Sequence, residues 1–363
     1  ALFRLRSFGG GQLARMLALA GHPLGLRCLV LDPAPDACAA AVAKHLAGDF
    51  TAPGLLEHFA ERADVVTYEF ENVPAPSVHY LNSRVAVYPP PAALDVARDR
   101  LREKQLFQQL NIATPAFTAV HTVDELTQAV QTMTLPAVLK TRTLGYDGKG
   151  QAVIRQPDEA ASAWSRLGGV PAILESFVPF ERELSIVAAR SRNGKTVYYP
   201  VTENTHRDGI LHLSISRPHD AMQARAEEYI RRIMDALNYV GVLTLELFQS
   251  GDQLIANEIA PRVHNSGHWT IEGAHTSQFE NHLRAIFDWP LGDTSPRGYS
   301  AMVNFVGSIP QAAEVLAVSC AHHHDYGKRP QPGRKLGHAT LCLDSEQALQ
   351  KAIAPLEKLA KRL

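Results

Sequence analysis

Cysteine is scarce in this 363-residue chain: Cys28, Cys38, Cys320 and Cys342 are the only four, and none sits in a CxxC or other metal-ligand spacing. That excludes a disulfide scaffold and a zinc ribbon, and the mostly apolar surroundings of these residues lead us to expect reduced thiols of a cytosolic protein. Neither sign of charge is in excess. Lys+Arg 36 against Asp+Glu 37 leaves a net charge of -1, with no basic stripe, which argues against a nucleic-acid partner. No apolar run approaches the roughly 20 residues of a membrane span, and no signal peptide is evident. The chain opens Ala1-Leu2-Phe3 without Met, so its natural start is expected to be missing or altered. Internal repeats and low-complexity tracts are absent. So is GxxxxGK[ST], which excludes a Walker loop, and no serine has nucleophile-elbow context, which leaves acyl-enzyme chemistry without support.

What is there is an ordinary globular composition, 45% hydrophobic and 20% charged, in a length suited to two or three domains. Leu26-Leu31, Ala63-Glu69 and Val85-Tyr88 read as short buried strands, with helical patterns at Gln12-Ala20 and Pro53-Glu61 between them. This alternation predicts a parallel α/β sheet. Arg4-Leu5-Arg6 is a poor buried strand, and its pairing is not expected. Pro89-Pro90-Pro91 marks a boundary. An amphipathic helix is expected over about Ala92-Leu110, with Arg100 and Lys104 one turn apart. From Pro136 strands dominate (Ala137-Lys140, Ala152-Arg155, Ala172-Glu175, Leu184-Ala189, Thr196-Val201), which predicts an antiparallel or mixed sheet. A helix over about Asp220-Leu237 precedes two paired strands, and an α+β segment runs from about Pro290 to the end.

The densest chemistry lies in Asn257-Glu258-Ile259-Ala260-Pro261-Arg262-Val263-His264-Asn265-Ser266-Gly267-His268-Trp269, at the end of an apolar strand. If Gly251-Asp252-Gln253 forms a three-residue hairpin loop, Glu246 lies opposite Glu258; a two-residue loop sets it opposite Asn257. Two opposed carboxylates repel unless a cation lies between them, and Mg2+ is the natural choice, with Mn2+ as its substitute. Lys140 followed by Thr141-Gly150 has the character of a Gly-rich flap over a triphosphate, or of a flexible hairpin with solvated charges. Gly9-Gly10-Gly11-Gln12-Leu13-Ala14, with Asp32 18 residues after Ala14, fits G-x-G-x-x-A. It reads as a loop near a phosphate, as a tight turn only, or, as a minority reading, as a dinucleotide site. Glu175 ends a strand where adenine or ribose is often met, and Glu183 is a ribose acceptor or the partner of Arg182. His322-His323-His324, with side chains on opposite faces, is expected at a loop or surface rather than on a metal.

These pieces in this order resemble the ATP-grasp superfamily. Within it they are similar to the 5-(carboxyamino)imidazole ribonucleotide synthase family, through Gly9-Leu13, Thr67-Val73, Lys104-Phe107, Gly145-Gln151, Asn257-Trp269 and Pro332-His338. The resemblance implies an ATP-grasp fold: a Rossmann-like domain over 1–95, an ATP-grasp domain over 96–288 with a flap at about 136–200, and a small α+β domain over 289–363. It implies an ATP-dependent ligase of purine biosynthesis that carboxylates 5-aminoimidazole ribonucleotide with bicarbonate through carboxyphosphate, as a homodimer with no nucleic-acid or membrane partner. Alternatives are another ATP-grasp carboxylate–amine ligase or an inactive nucleotide-binding module. By the same resemblance Arg100, Lys140, Gly145, Tyr146, Asp147, Gly148, Lys149, Gly150, Gln151, Glu175, Ser176, Phe177, Val178, Glu183, His206, Asn257 and Glu258 would contact ATP. Glu246 and Glu258 would hold the metal. Arg262, with Lys140 and Asp147, would act on the reacting groups. Glu71, Tyr146, Asp147, Arg262, His264, Asn265, Lys328 and Arg334 would bind the other substrates. Gln331 departs from the family pattern, which commonly has Arg there.

Overall fold

The computed structural model describes residues 3–145 and 147–361. Tyr146, expected at both the nucleotide and the ribonucleotide, lies outside the described residues. Four parallel strands form the first sheet, in the order Lys44–Ala47, Arg27–Asp32, Arg4–Phe8, Val65–Tyr68. Arg4–Phe8 therefore pairs on both sides, contrary to expectation. The alternation explains it: Leu5 and Ser7 point into the protein, while Arg6 reaches the carbonyls of Phe59 (3.1 Å) and Glu61 (3.2 Å) at the end of helix Pro53–Ala60. A guanidinium there satisfies helix C-terminal carbonyls that water would otherwise take. Val85–Tyr88 contributes only an isolated bridge, Val66 to Val87.

The expected helix over 92–110 is two helices, Pro91–Ala97 and Arg100–Gln109. Asp99 breaks them. It leaves the helical region (φ -120, ψ 110), accepts a bond from the Leu101 amide as an N-cap, and holds the Arg142 guanidinium. A four-stranded antiparallel sheet follows, in the order Phe117–Val120, Ala172–Ser176, Ala137–Thr141, Gln151–Ile154, with helices Val123–Thr132 and Ala160–Arg166. The large sheet runs Gln253–Ala260, Gly241–Ser250, Arg182–Arg190, Thr202–Arg207, Ile210–Ser216, Tyr299–Val306, Lys335–Leu343, Ala321–Asp325, with Thr196–Tyr198 paired off this path. The C-terminal strands thus continue the sheet that carries Glu246 and Glu258. The His triplet lies on its edge strand Ala321–Asp325, where His324 meets Glu272 at 2.7 Å. Among the described residues, no helix is long and apolar enough to cross a membrane.

Candidate active site

The hairpin of Gly241–Ser250 and Gln253–Ala260 sets the acids. Ser250 pairs with Gln253, so the loop is the two-residue Gly251-Asp252, and the three-residue expectation is corrected. That register alone would set Glu246 against Asn257. A bulge between Leu247 and Glu246 takes up one extra residue on the opposite strand, and Glu246 faces Glu258 after all. The bulge also lets neighbours Asn257 and Glu258 both line the cleft, which regular alternation forbids.

Three cations meet these acids from two elements. Arg100, at the first turn of its helix, donates to Glu258 at 2.8 Å. Lys104, one turn on and fully buried, donates to the Asn257 carbonyl and lies 3.7 Å from Glu175. Lys140, on the small sheet, meets Glu175 at 2.8 Å and Asn257 Oδ1 at 3.5 Å. Burial pushes the Glu258 carboxyl up, but Arg100, Lys140 and Lys104 outweigh it and bring it down to about 2. Glu175 is likewise held low by Lys140 and Lys104 against its burial. Glu103 has no such excess of cations, and burial raises it to about 8. His264 donates Nε2–H to Glu246 at 2.9 Å, since its Nδ1 accepts from the Ser266 amide.

The site's far wall comes from other elements. Arg262 forks onto Glu71 through two bonds of 3.0 and 2.8 Å. Asp147, in the flap, meets Lys335 at 3.1 Å. The flap tip rests on the turn at Gly209, where a Cβ on Gly209 would lie 2.9 Å from the Gly148 Cα; both glycines have positive φ, so the contact and the backbone each favour glycine. His206 meets Glu183 at 2.7 Å, which raises its imidazole although burial opposes this. Phe177, Val178, Phe180 and Phe248 make an apolar end, with Phe180 stacked on Phe248.

All of these side chains except Lys104 line one cleft of 790 Å3. Of the residues expected at ATP, the cleft brings together Arg100, Lys140, Gly145, Asp147, Gly148, Gln151, Glu175, Ser176, Phe177, Val178, Glu183, His206, Asn257 and Glu258, but not Lys149 or Gly150. Of those expected at the other substrates, Glu71, Arg262, His264 and Asn265 line it, with Glu246 between the two groups. Lys328 and Arg334 do not. Lys328 instead meets Gln12 Oε1 at 3.0 Å, beside the Gly-rich loop, and Arg334 bonds the Arg329 carbonyl at 3.2 Å.

Sequence reasoning assigned no role to Lys104, Glu69, His268 or Lys335. The helical spacing of Arg100 and Lys104 was the available signal for the first. Glu69 explains the Gly-rich loop: its carboxylate accepts from the Gly11 (2.7 Å) and Ala14 (3.1 Å) amides, while Asp32 accepts from Gly10 at 2.8 Å. A Cβ on Gly11 would lie 2.6 Å from Glu69 Oε1. Carboxylates of the chain itself occupy the amide donors at the start of helix Gln12–Gly21 that a dinucleotide pyrophosphate needs. Titrating NADH is therefore expected to give no saturable fluorescence change; saturable binding would contradict this account of the loop.

Acid stability follows from the buried imidazoles. Burial holds His268 and His338 well below the usual histidine range and His282 at about 3. A depressed base binds protons in the unfolded chain before the folded one, so stability present above about pH 6.5 is lost as pH falls. The low-lying Glu258 and Glu175 act in the same direction below about pH 4.5, where the unfolded chain takes up their protons first. Thermal unfolding followed from pH 8 to 4 is expected to show a midpoint that declines from about pH 6.5. Glu103 and His206, raised instead, act in the opposite direction and make the decline shallower; a midpoint that rises from about pH 6.5 to about pH 4.5 would contradict buried neutral histidines.

A cationic ladder facing two strand-borne acids, under a Gly-rich flap between two β-sheets, defines the ATP-grasp class. Three family models together match most of the chain: a ribonucleotide synthetase preATP-grasp domain over residues 4–98, an ATP-grasp domain over 105–279 and a phosphoribosylaminoimidazole carboxylase C-terminal domain over 300–352. The N5-carboxyaminoimidazole ribonucleotide synthase of Pseudomonas aeruginosa is 54% identical over 97% of this chain and 98% of its own length. The crystal structure of the N5-carboxyaminoimidazole ribonucleotide synthetase of Thermus thermophilus superposes with a TM-score of 0.94 at 53% identity, covering 98% of each chain. That of the Aspergillus clavatus N5-carboxyaminoimidazole synthase, in complex with ADP and 5-aminoimidazole ribonucleotide, gives 0.93 at 30% identity over 99% of each. The chain belongs to the N5-carboxyaminoimidazole ribonucleotide synthase family.

Proposed function

We propose that this chain joins bicarbonate to the amine of 5-aminoimidazole ribonucleotide at the expense of ATP, giving 5-(carboxyamino)imidazole ribonucleotide, ADP and phosphate in purine biosynthesis. The observation that carries the reading is the single cleft in which the acid hairpin, the cationic ladder and the Arg262–Glu71 fork all meet. ATP lies with its base toward Phe177, Val178 and Phe180 and its ribose toward Glu183. Lys140, Arg100 and the flap take the phosphates. Glu246 and Glu258, two hard oxygen donors at opposed positions, fit Mg2+ or Mn2+. Such an ion, when bound, would neutralise charge on the phosphates.

A bicarbonate oxygen attacks the γ-phosphorus, the bond to the β–γ bridging oxygen breaks, and ADP leaves. The ribonucleotide amine then attacks the carboxyl carbon of carboxyphosphate; phosphate departs and the nitrogen loses a proton. Arg262 supplies the fork that an oxyanion accepts, and swings to it from Glu71. Carboxyphosphate is short-lived in water, so the flap, tied to the far wall by Asp147–Lys335, keeps solvent out while it exists. Glu71, Asp147, His264 and Asn265 line the ribonucleotide end, with Lys328 and Arg334 toward its phosphate. A cytoplasmic homodimer is the expected setting. Labelled bicarbonate tests the reading: label is expected in an acid-labile product only when ATP and the ribonucleotide are both present, with ADP and phosphate formed in equal amounts. ADP formation without label transfer to the ribonucleotide would overturn it.

A further inference from the structure

His268 follows Gly267 at the hairpin's exit, and the reaction proposed above assigns it no part. Its ring is 1% exposed, packs against Phe279 and His338 (centroids 5.5 and 4.9 Å apart) and lines the cleft. Its tautomer is fixed by a neighbour whose own orientation is not free. Gln278, wholly buried at the start of helix Gln278–Ile286, accepts from the His264 amide through Oε1 at 3.0 Å and donates to the His264 carbonyl through Nε2 at 2.7 Å. Backbone groups cannot exchange donor and acceptor roles, so the Gln278 amide has one orientation. Its Nε2 also lies 3.2 Å from His268 Nδ1, which must therefore accept. Gly267 makes this approach possible, since a Cβ there would lie 2.4 Å from Gln278 Oε1.

A neutral imidazole that accepts at Nδ1 carries its proton on Nε2. Burial, with His264, His324, Lys335 and Arg262 nearby, holds His268 well below the usual histidine range, so it stays neutral. Nε2 makes no hydrogen bond among the described residues, and the residue lines the cleft. Arg262 and Lys335 are the nearest fixed cations, each now paired with a carboxylate (Glu71, Asp147), so an anionic oxygen that draws Arg262 from Glu71 is the partner a neutral N–H donor suits there.

Resting on the function proposed above, we infer that His268 donates Nε2–H to an oxygen of the carboxyl group being transferred, and that Gln278 is the positioning residue that sets its tautomer. A neutral donor gives up no proton and stabilises charge as it develops, in the manner of an oxyanion hole.

Two substitutions separate the donor from the ring. His268→Gln can place an amide N–H where Nε2–H stood, whereas His268→Asn can reproduce only the Nδ1 side. His268→Gln is expected to keep kcat within about tenfold and His268→Asn to lose about a hundredfold, both with an unchanged KM for ATP. Gln278→Glu, an acceptor opposite Nδ1, is expected to move the proton to Nδ1 and lower kcat in the same way. Nitrogen-15 NMR of labelled histidines in the full-length protein, assigned by the loss of one pair of signals in His268→Gln, reads the tautomer without substrate. It is expected to show Nε2–H at neutral pH. An Nδ1–H tautomer or an imidazolium there, or equal losses in His268→Gln and His268→Asn, overturns the inference. Because the NMR signal needs no substrate, failure of the proposed reaction and failure of this inference are read apart.

Discussion

Arg262→Ala is expected to lower ribonucleotide-dependent phosphate release about a thousandfold or more, the scale of losing a charged donor to a phosphoryl or acyl transition state. ATP affinity should hardly change, because the ladder of Arg100, Lys104 and Lys140 lies on other elements. The same substitution leaves the Glu71 carboxylate without its fork, a part-buried acid stripped of both its bonds. A modest fall in the thermal midpoint should follow, since removing one partner of an enclosed pair costs more than the pair contributes. Arg262→Lys keeps the charge and loses the planar fork, so it should sit between wild type and Ala. A full loss of ATP binding in Arg262→Ala would place this residue in the nucleotide site and contradict the assignment.

Neutralising either hairpin acid should be nearly as damaging to turnover, and the pair differ in a way that separates function from stability. Glu246→Gln and Glu258→Gln are each expected to lower kcat by about a hundredfold to ten-thousandfold and to raise the concentration of Mg2+ needed for half-maximal rate, as loss of several kcal/mol of metal-borne stabilisation implies. Only Glu258 also answers Arg100 at 2.8 Å and the lysines behind it. Glu258→Gln should therefore depress the thermal midpoint of the metal-free protein, while Glu246→Gln, whose amide oxygen can still accept from His264, should leave it near wild type. Equal midpoints would mean that the cationic ladder does not need Glu258. An unchanged metal requirement in both variants would remove the metal from this hairpin.

Much of the architecture could be read from apolar runs. The strands Arg27–Asp32 and Val65–Tyr68 follow patterns in which side chains have one environment each, whereas the strands from Ala137 to Val201, expected in one antiparallel or mixed sheet, divide between two, and the ATP-grasp fold came through resemblance. Arg4–Phe8 failed that reading because Arg6 faces a helix end rather than water, a partner that no local pattern announces. The helix break at Asp99 is visible only once Arg142, far along the chain, is known to bind it. Hairpin register depended on a bulge that the turn residues do not encode, and the opposed acids were reached with the wrong loop length. In the site, the Gly-rich flap and the Asn257–Trp269 run carry their chemistry in their composition. The Arg of that run suits an oxyanion on its chemistry alone, but the roles of Lys328 and Arg334 came only through resemblance, because spacing does not tell which phosphate a cation will meet. Glu69 and His268 were invisible for a related reason: an acid and an imidazole take their function from backbone amides and from a Gln278 that only the fold brings near.

Phosphate release from Mg-ATP, measured with and without 5-aminoimidazole ribonucleotide and bicarbonate, tests the central claim most directly. Release that needs both, and that disappears in Arg262→Ala while ATP still binds, is the predicted result. Turnover indifferent to the ribonucleotide would leave the fold intact and contradict the account of its acceptor, and tight ATP binding with no turnover at all would contradict the account of its chemistry.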